Sequence, residues 1–282
     1  MCQDARLEVT MAATRQELLA VVERSPERVA AHDRESWLAL FGDDALVEDP
    51  VGSPPARKAT GALGRFWDTF IAPHQIRFEV RRDHVVGREV FRDAIIHTRI
   101  GPHVAIEVPA YLLYQLDDGA DGLQVSRMAA HWQLGRLSLG ALKLGPRAWL
   151  PMTRLFGRML RLMGLSWVGG YLASLWSGIG ARGLRAAHEL ARALEARDAA
   201  ALAALFVDDA ATVELGATRL APSALLSALP PPSRLEIAAP VTAGWTTSFR
   251  FRLDGPTPSE GLALLEFAPE TRRTRRARLF PA

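Results

Sequence analysis

LALFGDDALVEDPVG, residues Leu38 to Gly52, is the stretch from which the rest of the chain can be read. Leu38, Leu40 and Phe41 close an amphipathic helix, and Gly42-Asp43-Asp44 stops it. Ala45 to Glu48 reads as a short strand, and Asp49-Pro50 ends it, because a proline disfavours helix at the residue before it and breaks a ladder. A weaker copy returns as Leu202 to Gly216. Leu205-Phe206-Val207-Asp208-Asp209 repeats Leu40-Phe41-Gly42-Asp43-Asp44, and Val213-Glu214-Leu215 stands against Val47-Glu48-Asp49. The informative difference is the last one: a carboxylate in the first copy and a leucine in the second.

Outward from that stretch, the first half divides into helices and then strands. Residues 14–24 carry Leu18, Leu19, Val21 and Val22 at helical spacing, Ser25-Pro26 reads as a helix restart, and Asp33 caps the helix of Trp37. Thr60 to Ile71 is a third helix with Leu63, Phe66, Trp67 and Phe70 on one face. Strands follow around Ile76–Val80, Val90–Ile100, Val104–Leu116 and Leu123–Leu134. Helices first and strands after predict an α+β domain with helices on one face of a curved antiparallel sheet, enclosing an apolar pocket. The second half repeats the order in shorter form. It has two helices from Ala186 to Phe206 capped by Asp198, a short helix at 221–229, a Pro230-Pro231-Pro232 spacer and four strand patterns ending at Phe280. The domains expected are a disordered tail at 1–13, a first domain at 14–135, an apolar helical linker at 136–182 and a degenerate second domain at 183–282.

Composition narrows the function. Of 282 residues 49% are hydrophobic and 23% charged, which suits a folded chain. The net charge is +3, yet five arginines lie between Arg272 and Arg278, and without them acids outnumber bases. The basic balance is local and no aromatic residues interleave with it, so no nucleic-acid partner is expected, and these arginines read as a solvated strand edge. One cysteine, Cys2, permits no intrachain disulfide or cysteine metal site. Without a secretory apolar run at the N-terminus, the expectation is a cytoplasmic protein. His84, His97 and His103 have no ligand spacing and read as solvated, and no metal or cofactor is implied.

The segment FGDDALVEDPVGS followed by ATGALGRFWDTF resembles the NTF2-like, ketosteroid isomerase-like (SnoaL-like) superfamily, over roughly residues 25–135. The resemblance implies two NTF2-like cone-shaped domains in tandem. It also implies a carboxylate base that moves a proton next to a ketone, with a tyrosine and a protonated aspartate holding the enolate oxygen. Asp49 matches the family's base. The family's tyrosine falls near Ser25, where there is none, and its aspartate falls two residues beyond Pro109, where Tyr111 stands. The resemblance thus makes Asp49 and Tyr111 the catalytic candidates and Phe66 an apolar site residue; Trp67 and Trp37, from their own helix faces, read as further pocket wall. His131, in the fourth strand, is a further pocket candidate, and Tyr114 falls on the opposite strand face from Tyr111. The function implied is isomerase-like proton transfer on a hydrophobic ketone, steroid- or polyketide-like, without a cofactor; a cyclase or hydratase would use the same pocket. The alternative is a non-catalytic domain that binds an apolar ligand or protein partner.

Two expectations concern the rest of the chain. The second domain, with no ionisable group at the base position and no tyrosine, is catalytically empty, and it serves as a built-in partner in a monomer. The linker places Arg154, Arg158 and Arg161 on one helical face, and Leu162 to Ala181 carries no charge. It reads either as a helical cover on the cone mouth or, through residues 147–181 with Trp149, Trp167 and Trp176, as a peripheral membrane contact.

Overall fold

The computed structural model describes residues 13–101, 104–134, 146–208, 210–256 and 258–282, and for residues 146–149 the backbone alone. The tail expected at 1–13 therefore lies, Ala13 apart, outside the described residues, as do His103 and the start of the linker.

The first domain opens with α1 (Arg15–Ala30), capped by Thr14 and Glu17 in a reciprocal capping box. The helix runs straight through Pro26 instead of restarting there. Ser25 is buried and, rather than capping, accepts the indole N–H of Trp37 at 3.1 Å. Asp33 caps α2 (Arg34–Ala39) through the Ser36 amide. Strands β1 (Phe41–Glu48) and β2 (Ala56–Arg57) come next, then α3 (Ala62–Phe66), which passes into a π-helical turn at Trp67–Ile71. The extra residue of that turn lets Phe66, Phe70 and Ile71 all line the same cavity. Four long strands complete the sheet: β3 (Gln75–Val86), β4 (Glu89–Ile100), β5 (Val104–Gly119) and β6 (Gly122–His131).

The sheet order is β2-β1-β6-β5-β4-β3. It is mixed where a wholly antiparallel sheet was expected, since β1 lies parallel to β6. The reason is chain order: β1 is cut off from the meander β3–β6 by α3 and joins it beside the last strand.

Two linker helices follow, α4 (Pro146–Met163) and α5 (Leu165–Ala173). The second domain then has α6 (Ala181–Ala196), α7 (Ala199–Leu205), β7 (Thr212–Leu215), β8 (Thr218–Leu220), a 3₁₀ turn into α8 (Leu225–Ala228), and β9 (Arg234–Ala243) to β12 (Thr274–Pro281) through β10 (Thr246–Asp254) and β11 (Ser259–Phe267). Its sheet order, β8-β7-β12-β11-β10-β9 with β7 parallel to β12, repeats the first strand for strand. Even an ion pair is repeated. Glu48 on β1 holds Arg127 on β6, and Glu214 on β7 holds Arg276 on β12. The fold is α+β, with two cones of one topology.

Each cone has its own core between helices and sheet, and a third cluster lies between the two helix-free sheet faces. Phe91, Tyr111 and Leu113 of the first sheet meet Val241, Leu262, Leu264 and Phe280 of the second. The rings of Phe91 and Phe280 are 5.0 Å apart, and Arg250 reaches across to buried Asp93 at 2.6 Å. Of the five arginines expected on a solvated edge, Arg275, Arg276 and Arg278 are instead on an interior strand, while Arg272 and Arg273 lie exposed in the turn before it. Strand β12 sits between β7 and β11, and Arg278 is buried against Glu214 and the first domain's Glu89. Those carboxylates neutralise Arg278, and Glu214 also holds Arg276, pairings that sequence alone does not reveal.

Candidate functional site

The path of the chain after β1 decides where Asp49 points. Glu48 lies opposite Ala129 of β6, and after the Asp49-Pro50 step the Val51 amide bonds Ala130 carbonyl at 2.8 Å. Asp49 is thus held level with the end of β6, where Trp132 follows the strand. The Trp132 indole N–H donates to Asp49 Oδ1 at 2.5 Å.

Asp49 lines a cavity of about 170 Å³ enclosed by the concave face of the first sheet, α1, α3 and the linker helices. The wall is mainly aliphatic and aromatic, and among the described residues no lysine or arginine stands in it. Desolvation therefore dominates: burial raises the Asp49 carboxyl from 3.8 to about 6, and the Trp132 hydrogen bond pulls back only part of the way.

Two tyrosines share this cavity. Tyr114 comes from β5 and is 1% exposed; burial pushes its phenol up to about 12, while hydrogen bonding to Ser25 and the nearby Arg92 charge act in the opposite direction. Tyr171 comes from α5, its ring stacked on Trp167 at 5.2 Å. Burial raises its phenol as well, and the Asp49 charge adds to the effect. His74 is a further polar group in the wall. Its Nδ1 is 2.7 Å from the Phe70 carbonyl, which can only accept, so Nδ1 carries the proton. Burial lowers its pKa, and the ring is neutral at pH 7.

Of the residues singled out in the sequence, Asp49, Trp37 and Phe66 come together around this cavity. Trp67 does not reach it; the ring is buried behind Trp37, 5.2 Å from it. Tyr111 lies on the other face of β5, where its hydroxyl donates to the Ala239 carbonyl of the second domain at 2.8 Å. His131 also faces the second domain, with Nδ1 2.9 Å from Thr246 Oγ1, and burial lowers its pKa to about 3. Both belong to the joint between the sheets. His84, expected in solvent, is buried, whereas His97 sits between Glu79 and Glu107.

Sequence reasoning missed Tyr114, Trp132, Tyr171, Ser25 and His74. A signal existed for one of them. In the uncharged run from Leu162 to Ala181, Trp167 and Tyr171 are one helical turn apart, an aromatic pair with an inward face. In the second cone Leu215 takes the place of Asp49 and packs against that cone's apolar core.

Residues 22–123 match the sequence profile of the SnoaL-like domain. A Mycobacterium tuberculosis protein solved in complex with estradiol-17beta-hemisuccinate is 27% identical, over 42% of this chain and 94% of its own, with a TM-score of 0.38. A Delta 5-3-ketosteroid isomerase from Mycobacterium sp. is 28% identical, over 41% of this chain and 92% of its own, with a TM-score of 0.37. An LEH-like epoxide hydrolase of M. tuberculosis is 20% identical, over 45% of this chain and 91% of its own, with a TM-score of 0.38.

Proposed function

Residues 22–123 are a SnoaL-like domain, and from that premise we propose that the first cone catalyses proton transfer on a hydrophobic ketone, with Asp49 as the general base. The observation that carries the reading is an aspartate in an apolar cavity, with no lysine or arginine in the wall among the described residues, held through one oxygen by an indole N–H.

The chemistry follows from the electrostatics. With its pKa raised to about 6, Asp49 is still mostly ionised at pH 7, and it is a stronger base than an exposed aspartate. Oδ1 is engaged by Trp132, and Oδ2 is the oxygen proposed to take the proton from the carbon beside the carbonyl. The protonated carboxyl, whose acidity lies near the working pH, returns the proton at a second carbon. Tyr114 is assigned to the developing enolate oxygen. Its phenol stays neutral throughout, so it can donate a hydrogen bond, and a donor fixed in an apolar site stabilises developing charge more than water does. Tyr114 meets Ser25, near which the family's own tyrosine is expected, so the donor arrives from a strand instead of a helix. Tyr171 is a second donor, delivered by the linker.

The substrate class proposed is steroid- or polyketide-like, from the apolar wall. The test is turnover of a Δ5-3-ketosteroid by the intact protein and by Asp49→Asn, with ligand binding followed separately. Turnover lost with binding kept supports the base. A parent protein that binds a steroid but never turns it over supports the alternative, a binding domain in which Asp49 only orients the guest.

A further inference from the structure

Five of the six exposed large apolar side chains among the described residues lie in one segment: Leu150, Phe156, Leu165, Leu172 and Trp176. Leu165 is 78% exposed and Trp176 82%. A clustering of this kind on a folded chain marks an interaction surface, whereas singly scattered apolar residues need no explanation.

The cluster is organised by the two linker helices. On α4, residues 100° apart in projection bring Leu150, Arg154 and Arg161 onto one exposed face, with Met159 buried on the other. On α5, Leu165, Gly169 and Leu172 form one exposed stripe, which Trp176 continues just past the helix end, while Val168 is buried. The orientation is held from inside. The Trp167 indole donates to the Pro54 carbonyl at 3.0 Å, Tyr171 lines the cavity, and Arg158 bonds the Asp68 carbonyl at 3.1 Å.

Charge selects the partner. From residue 146 to residue 188 the sequence has six arginines and no aspartate or glutamate. Among the described residues, neither Arg154 nor Arg161 pairs with a carboxylate, although ion pairs are frequent elsewhere on the molecule. Exposed leucines and an exposed tryptophan bordered by unpaired arginines suit the boundary between lipid headgroups and acyl chains. No helix among the described residues is long and apolar enough to cross a membrane, which leaves a helix pair lying on the surface.

We propose that α4 and α5 dock the protein on an anionic lipid bilayer, so that one wall of the Asp49 cavity rests against the membrane. Leu155 and Tyr171 line the cavity from these same helices, and an apolar ligand dissolved in the bilayer then has the shortest path to the site. The docking does not rest on proton transfer, and it is measured without any ligand.

The experiment is co-sedimentation of the full chain with phosphatidylcholine vesicles, with and without 30% phosphatidylserine, at about 0.1 M and 0.5 M salt. The expected result is binding to the anionic vesicles at low salt, weakened at high salt because screening shortens the reach of the arginines. Arg154→Glu with Arg161→Glu should lower partitioning about tenfold or more, and so should Leu165→Ser with Trp176→Ser. Circular dichroism confirms that the variants keep their helices, as expected for exposed positions. Protein that stays in the supernatant overturns the proposal, as does equal binding to neutral vesicles. So does a wild-type dimer that the apolar double variant turns into a monomer, since a second copy would then cover this face.

Discussion

At the scale of single residues, Asp49 is the position where stability and the proposed activity pull in opposite directions. Its pKa near 6 in the fold exceeds 3.8 in the unfolded chain, so the folded state holds the proton more tightly. Stability therefore falls as pH rises between about 4 and 6 and remains lower above that range. Asp49→Asn removes the penalty. Thermal unfolding at pH 8 should show the variant more stable by roughly 3 kcal/mol, with the gap closing near pH 4. The same substitution should lower kcat/KM on a ketosteroid by about 100- to 10,000-fold. In the parent, kcat/KM should rise with pH through an apparent pKa near 6, because the ionised form is the proposed base. Tyr114→Phe should cost about 100-fold in kcat and little in KM, since its hydrogen bond strengthens as the oxygen gains charge. A pH profile flat between 5 and 8 in the active parent would remove Asp49 from the base role.

At the scale of elements, α5 works as a wall because it sits close to the loop after Pro50. A Cβ on Gly170 would lie 2.5 Å from Pro54 Cγ, on a ring that cannot swing aside. Gly170→Val should push α5 outward, carry Tyr171 away from the cavity and weaken steroid binding about tenfold, with overall helicity unchanged. Fluorescence titration and circular dichroism check the two halves of that statement. Strand β5 carries a related lesson. Ala110, Leu112 and Tyr114 face the first core, and Tyr111 and Leu113 face the second sheet. Both faces are buried, so the sequence there is apolar throughout, and nothing in the alternation says which tyrosine looks inward.

At the scale of the whole molecule, the two cones are held by their sheet faces and by a crossing of three glycines. Gly52 of the first cone, Gly178 after the linker and Gly244 of the β9–β10 turn meet there. A Cβ on Gly244 would stand 2.9 Å from Gly52 Cα, and its φ of +51° already excludes most side chains. Gly244→Val should destabilise the whole chain by about 2–4 kcal/mol, read as a lower urea midpoint. The apolar sheet faces of the two cones are spent on each other, and so the dilute chain should sediment as a 30.8 kDa monomer away from membranes. A stable dimer in lipid-free buffer would contradict this.

The duplicated pattern from Leu38 and from Leu202, the helices-then-strands order and the single aspartate at the end of β1 were all legible along the chain. Each is a local matter of helix period, strand alternation, a cap or a proline, and neighbours in sequence are enough to reveal it. Which tyrosine enters the cavity, that His131 and Tyr111 serve the joint, that Arg278 is buried beside Glu89, and that Tyr171 reaches Asp49's cavity were settled only by tertiary structure. Those outcomes depend on which face of a doubly buried strand meets which partner, and on residues more than a hundred positions apart. The hydrophobic drive that buries them is non-directional and leaves no periodic mark in either segment.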